Sequence, residues 1–223
     1  MTSSGSSDPA VYALLGDVVG SRRAGNRRVL HEHLGAALRQ VEQVVPALEP
    51  LTTTVSDEFQ GVYADVGSAV LASLLVRLHT LPQVDVRCGI GRGLVQVIDH
   101  GHVPPLQDGS AWWAAREAVE EAERRAASAG TRSCRTWYVE DPDRPSGAAA
   151  TILATLVLRD ELVSRLDARP LRVLLGVMSD LTQTMVAEQE GITQSAVSQL
   201  VARESLGAIR EAHEILTQPA RDR

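Results

Sequence analysis

The chain has no lysine: all 22 basic residues among its 223 are arginine. That excludes Schiff-base chemistry and a P-loop lysine. Cysteine is scarce too, and Cys88 and Cys134 are too few for a disulfide framework and form no metal-ligand cluster, so both read as reduced packing residues. His31, His33, His79, His100, His102 and His213 lack a zinc spacing with acids or cysteines. No apolar run approaches the roughly 20 residues that span a bilayer. Residues 1–9, Met-Thr-Ser-Ser-Gly-Ser-Ser-Asp-Pro, lack the basic and apolar regions of a signal peptide. A cytoplasmic protein with no membrane partner is expected.

What is present describes a globular chain, with 44% hydrophobic and 22% charged residues. Its formal charge of -6 argues against a general nucleic-acid coat, although a local arginine face remains available. Residues 1–9 read as a flexible tail. Val11 to Val19 is apolar with little alternation, which suits a strand covered on both faces. A helical pattern follows at Val29, Leu30, Leu34, Leu38, Val41 and Val45, ended by Pro46 and Pro50. Leu51 to Asp65 reads as a hairpin turning at Asp57-Glu58, and a helix runs from Gly67 to about Leu81. Val84 to Val97 is a strand, Asp108 to Ala127 a helix, and Arg135 to Val139 a short strand. The expected fold is therefore α+β: a mainly antiparallel palm-type sheet with helices on one face over residues 10–140. Residues 141–148 have linker composition, and 149–223 read as a small all-α module.

Two acidic stretches carry the chemistry. Asp17 sits where a buried strand opens through Gly20, Ser21 and Arg22 into a helix, so free backbone N–H groups would face what the carboxylate faces. Asp57 and Glu58 sit in the hairpin turn. If the two strands adjoin, Asp17 and Asp57 suit Mg²⁺, with its other positions on phosphate and water. The plainer alternative is that Asp17 caps the helix and Asp57-Glu58 makes a polar turn.

Four blocks stand in order: Leu14-Leu-Gly-Asp-Val-Val-Gly-Ser21, Val55-Ser-Asp-Glu-Phe59, Arg87-Cys-Gly-Ile-Gly-Arg-Gly93 and Ala114-Ala-Arg-Glu117. This order resembles the palm core of class III nucleotidyl cyclases and GGDEF diguanylate cyclases. With Asp57 to Gly61, Gly89 to Gly93, and Asp108-Gly109 ahead of Ala115-Arg-Glu-Ala118, the chain most resembles the SatD family. The cyclase resemblance implies that Asp17 and Asp57 are metal aspartates and Arg116 a transition-state arginine, and that these three are the catalytic set if the chain is an enzyme. Cyclases place a ribose-orienting Asn where this sequence has Trp112, which favours binding over catalysis. Trp112 could stack on a base, or serve with Trp113 as core and rim. Arg116 either contacts ligand or pairs with Glu120 four residues on. Gly91, between Gly89 and Gly93, clears one strand face for a ligand or a helix.

Residues 182–200 have helix-turn-helix spacing, with Ala187 at the helix crossing, Gly191 at the turn, and Val197 and Leu200 inward. This leaves Gln194, Ser195, Ser198 and Gln199 outward for base edges or phosphate, with Arg203 near a phosphate. The pattern resembles sigma-factor region 4. Residues 151–223 carry eight Arg against ten Asp and Glu, so DNA binding by a lone module would be weak. A homodimer through the stripe Ile152, Leu153, Leu156, Val157, Leu162, Val163 and Leu166 would double the contacts, unless that stripe serves the chain's own core. The expectation is a transcriptional regulator that binds a nucleotide or nucleotide second messenger, with Mg²⁺, and reads DNA. The alternatives are a metal-dependent nucleotidyl cyclase or nucleotidyltransferase, and a ligand-independent DNA-binding or adaptor protein.

Overall fold

A computed structural model describes residues 9–21, 27–54, 57–99, 101 and 106–217. Arg22, Val55, Ser56, His100, His102 and most of the expected tail lie outside the described residues. Strand β1 (Val11–Val18) is flanked by β3 (Glu58–Tyr63) and β4 (Val86–Gly93), both antiparallel to it. With β2 (Glu49–Thr53) and β7 (Thr136–Glu140) outside, the sheet order is β2-β3-β1-β4-β7, and β7 runs parallel to β4. Helix α1 (Arg27–Val44) joins β1 to β2, and α2 (Val66–Thr80) joins β3 to β4. A βαββαβ unit in the order 4-1-3-2 is the ferredoxin-like palm, and the fold is α+β. A two-stranded ribbon, β5 (Gln96–Asp99) with β6 (Leu106–Asp108), precedes α3 (Ser110–Ala126).

The central position of β1 follows from its lack of alternation. Leu14 and Val18 enter the main core, whereas Ala13 faces the opposite side with Ala111 and Ala115. Gly16 stands opposite Phe59, and a Cβ there would overlap the ring of the chain's one phenylalanine. Helices α1 and α2 cover the main-core face. Helix α1 does so through Leu30, Leu34, Leu38 and Val41 at helical spacing. Helix α2, begun by Asp65 accepting the Ser68 N–H at 2.8 Å, is apolar nearly all round and is correspondingly buried nearly all round.

Helix α3 adds a layer on the opposite face, across β4. Cβ atoms at Gly89, Gly91 and Gly93 would overlap the α3 backbone around Ser110, Ala111 and Ala115. The alternating glycines therefore admit a helix at close range. Of the ligand and the helix offered for Gly91, it is the helix α3 that closes over it.

The chain continues through α4 (Ala149–Ser164), α5 (Ala168–Met178), α6 (Gln183–Glu190), α7 (Gln194–Arg203) and α8 (Leu206–Thr217). The core does not break at 141–148: Tyr138, Ile152, Leu156, Leu174 and Ile209 belong to one cluster with the α2 side chains. The expected linker is itself tied down, since the Arg92 guanidinium donates to the Arg144 carbonyl and Ser146 to Glu140. The stripe offered for a homodimer turns inward, with Ile152, Leu156 and Val163 buried within the chain. No described helix is long and apolar enough to cross a membrane.

A buried charge network joins α4 to the sheet. Asp160 accepts the backbone N–H groups of Arg135 at 2.7 Å and Thr136 at 2.6 Å. The same carboxylate lies 3.2 Å from Arg159 and 3.6 Å from Arg77, and Asp85 takes Arg77 at 2.8 Å and Arg135 at 2.7 Å. Asp160→Ala would strand two backbone donors and leave two buried guanidiniums short of a counter-charge. Urea unfolding of that variant is expected to show a loss of about 3–5 kcal/mol.

Candidate functional site

The last turn of β1 gathers charge from both neighbouring strands. In register, Asp17 lies opposite Glu58 on β3 and Arg87 on β4. The pleat sends all three to the α3 face, where Arg87 Nε sits 3.3 Å from Asp17 Oδ1 and Arg87 Nη1 sits 2.9 Å from Glu123 of α3. Beyond the strand, Gly20 at φ 73° turns the chain and Ser21 follows. Together with Arg27, Leu30 and Asp57 they line a cleft of about 740 Å³. Among the described residues of that cleft, Asp17, Asp57, Glu58 and Glu123 stand against Arg27 and Arg87.

Burial pushes the Asp17 carboxyl above the ordinary carboxylate range. Arg87 opposes that shift, whereas Glu123, Asp57 and Glu58 add to it. Asp17 Oδ1 has no hydrogen-bond partner among the described residues. A carboxylate oxygen that is ion-paired with Arg87 but accepts no hydrogen bond, in a cleft lined by further acids, fits a hard divalent cation bound through Asp17 and Asp57, with water and phosphate completing its shell. Among the described residues no group of three His, Cys, Asp or Glu side chains converges as a complete metal cage. A cation there would rely on its ligand.

A second depression of about 530 Å³ adjoins the cleft, lined by Leu15, Gln60, Gln107, Trp112, Trp113 and Arg116. Glu58 joins the two, because Arg116 Nη2 lies 3.6 Å from its Oε2. The side chains of Arg116 and Glu58 are about half exposed, so this pair contributes little to stability and is free to exchange for a ligand. Glu120 lines the same depression, but the ion pair of Arg116 is with Glu58. Trp112 packs against the Ala13 cluster, and its buried Nε1 has no partner among the described residues. Trp113 is 65% exposed and donates to Asp108 at 2.9 Å.

Of the expected residues, Asp17, Gly20, Ser21, Asp57 and Glu58 come together, with Trp112 and Arg116 next to them. Arg22 is outside the described residues. Sequence reasoning missed Arg87 and Glu123. Signals for both exist: Arg87 is two residues before Gly89 and so shares its strand face, and Glu123 is two helical turns beyond Arg116.

The C-terminal residues form a separate surface. Thr182 and Thr193 cap α6 and α7, and Gly191 at φ 62° makes the turn between them. Val197 is buried, while Gln194, Ser195, Ser198, Gln199 and Arg203 are exposed along one side of α7. This face is short of free positive charge. Gln194 bonds Gln183 at 2.6 Å, and Arg203 pairs with Glu204 at 2.8 Å.

The raised Asp17 carboxyl has a definite sign in stability. The native state keeps that proton to higher pH than the unfolded chain, so charging the group disfavours folding above this window and has no effect below it. Asp17→Asn is therefore expected to gain stability relative to the natural chain as pH rises above the ordinary carboxylate range. Parallel urea titrations at several pH values measure this difference, and a flat difference would contradict the assignment.

Three solved structures show partial likeness. The chain is similar to a bacterial light-regulated adenylyl cyclase at 14% identity and TM-score 0.42, covering 52% of this chain and 71% of that one. It is similar to the guanylyl cyclase Cya2 at 11% identity and TM-score 0.40, covering 50% and 70%. It is also similar to the guanylate cyclase domain of RhGC from Catenaria anguillulae in complex with GTP, at 13% identity and TM-score 0.38, covering 50% and 72%. No curated protein matches. The SatD family matches residues 11–209, nearly the whole chain, and the protein belongs to that family.

Proposed function

We propose that the α3 face of the sheet binds a nucleotide or nucleotide second messenger with Mg²⁺, and that binding acts on the helix-turn-helix. The observation that carries this reading is the continuity of the face. A cleft lined by acids passes through the Glu58–Arg116 pair into a depression walled by Trp112. Asp17 and Asp57 would hold the cation, whose contribution when bound is to let phosphates approach four carboxylates. Backbone N–H groups at Gly20 and Ser21 would receive a phosphate, with Arg116 released from Glu58 as its second partner. Trp112 offers a ring for a base.

Two features support sensing over turnover. Arg87 already stands on Asp17, so a cation must compete with a resident guanidinium. Trp112 also occupies the position where the cyclase resemblance has a ribose-orienting Asn. A route to the C-terminal helices exists, since α2 packs on the sheet and also against α5 and α8. The outward polar side chains of α7 support DNA as the partner, with Gln194, Ser195, Ser198 and Gln199 towards bases and Arg203 towards phosphate. The net negative module implies affinity that needs more than one copy or a second contact.

Calorimetric titration with ATP, GTP and cyclic dinucleotides, each with and without Mg²⁺, checks the ligand half. One of them is expected to bind only with Mg²⁺, to lose binding in Asp57→Ala, and to weaken about tenfold or more in Trp112→Ala. Absence of heat from all of them would sink it. Pyrophosphate release from ATP or GTP that disappears in Asp57→Ala would instead establish the enzyme reading. For the DNA half, the combined Gln194→Ala and Arg203→Ala change is expected to remove binding in a gel-shift assay. DNA affinity unchanged by every nucleotide would leave a ligand-independent DNA-binding or adaptor protein.

A further inference from the structure

The guanidinium of Arg87 decides how much of Asp17 a metal can reach. The two residues are register partners on β4 and β1, and Arg87 Nε stands 3.3 Å from Asp17 Oδ1. Oδ1 is buried, yet 28% of the Asp17 side chain is exposed. The oxygen open to the cleft is therefore Oδ2, while Oδ1 is held against a resident cation. Arg87 is itself fixed in place, with its side chain only 11% exposed and its Nη1 2.9 Å from Glu123. Helix α3 sets Glu123 there, because Gly89, on the same strand face as Arg87, lets the α3 backbone at Ala115 and Val119 come close. One arginine thus occupies an oxygen of Asp17 and the carboxylate of Glu123 at once.

Cations differ in how much carboxylate they require. Ca²⁺ takes roughly six to eight oxygens and readily chelates both oxygens of one carboxylate, whereas Mg²⁺ keeps several waters and is held by one or two carboxylates together with phosphate. In this cleft Asp17 offers Oδ2 alone, with Glu123 on Arg87 and Glu58 on Arg116, which leaves few oxygens for the larger ion. Asp57 can add a second ligand, and a bound phosphate the rest. We infer that Arg87 is a specificity-determining residue of the metal position: by holding Asp17 Oδ1 and Glu123 it denies the cleft to Ca²⁺ and to a bare cation, and admits Mg²⁺ as its phosphate complex. This role rests on the nucleotide reading above and adds to it the choice of metal and the form in which the metal enters.

Calorimetric titration of the full chain with CaCl₂ and with MgCl₂, in the absence of nucleotide, measures this role directly. The natural chain is expected to show no preference for Ca²⁺. Arg87→Met removes the guanidinium, frees both oxygens of Asp17, and is expected to bind Ca²⁺ about tenfold or more tightly than the natural chain, with a smaller gain for Mg²⁺. Arg87→Lys, whose ammonium can stand on Oδ1 again, should return the calcium affinity towards that of the natural chain. Glu123→Gln, at a position 70% exposed, leaves Arg87 on Asp17 and should show no calcium gain. Should Arg87→Met not fold, Arg87→Thr keeps strand propensity and is too short to reach Asp17. Equal gains for the two ions overturn the inference, because the lost positive charge alone then accounts for them. So does the absence of any gain, or a natural chain that already prefers Ca²⁺. A calcium gain beside nucleotides that give no heat with Mg²⁺ upholds the part played by Arg87 and counts against the nucleotide reading alone.

Discussion

The Asp160 carboxylate is the constraint on which the arrangement of the chain depends. It accepts two backbone N–H groups at the start of β7 and shares its charge with Arg159 and Arg77, so one side chain of α4 ties together an edge strand, α2 and the C-terminal helices. Desolvating a carboxylate is unfavourable, and only this full set of partners makes the position tolerable. The alternative arrangement, a helical module swinging on a free linker, would leave the three arginines and two aspartates to water. In the same network Arg159 Nε is left without an acceptor among the described residues.

The acidic site depends on a different kind of constraint, close packing without polar contact. Gly89, Gly91 and Gly93 oppose Ala111 and Ala115, and the missing side chains let the α3 backbone lie against β4. That approach sets the height of Arg116 and Glu123 above the sheet, one meeting Glu58 and the other Arg87. A side chain on this glycine face would therefore disturb the charges at a distance. The glycines position the site without touching its ligand.

The helix-turn-helix surface is balanced by internal pairing. Glu190 takes Arg172 and Arg203 takes Glu204, so the helix-turn-helix presents hydrogen-bonding groups with little net attraction for phosphate. In the acidic cleft the described residues set four carboxylates against two arginines, and Asp17 Oδ1 has the Arg87 ion pair but no hydrogen bond. A phosphate ligand needs help from a cation in the second case and from additional contacts in the first.

Much of the architecture is visible in local pattern, because helix and strand periodicity, caps and turns depend on residues within about four positions. The uniform run at Val11 to Val19 announced a central strand. The Asp57 turn, the α2 stretch, the Gly191 turn and the all-helical character of residues 149–217 were legible in the same way. Residues 141–148 have the composition of a linker, yet Glu140, Arg92 and Arg144 bind that stretch to the sheet, which composition does not register. Local pattern also could not choose between ligand and helix for Gly91, or between Glu120 and Glu58 for Arg116, since each choice depends on what lies opposite in space. The sequence by itself determined the principal helices and strands, their order and the two acidic turns, but not the β5–β6 ribbon, which begins inside the run read as one strand to Val97. Only tertiary structure decided that Arg87 stands on Asp17, that α3 closes over the glycines, and that Arg159 is left one acceptor short. Those outcomes rest on register and burial between segments tens of residues apart, where no spacing rule operates.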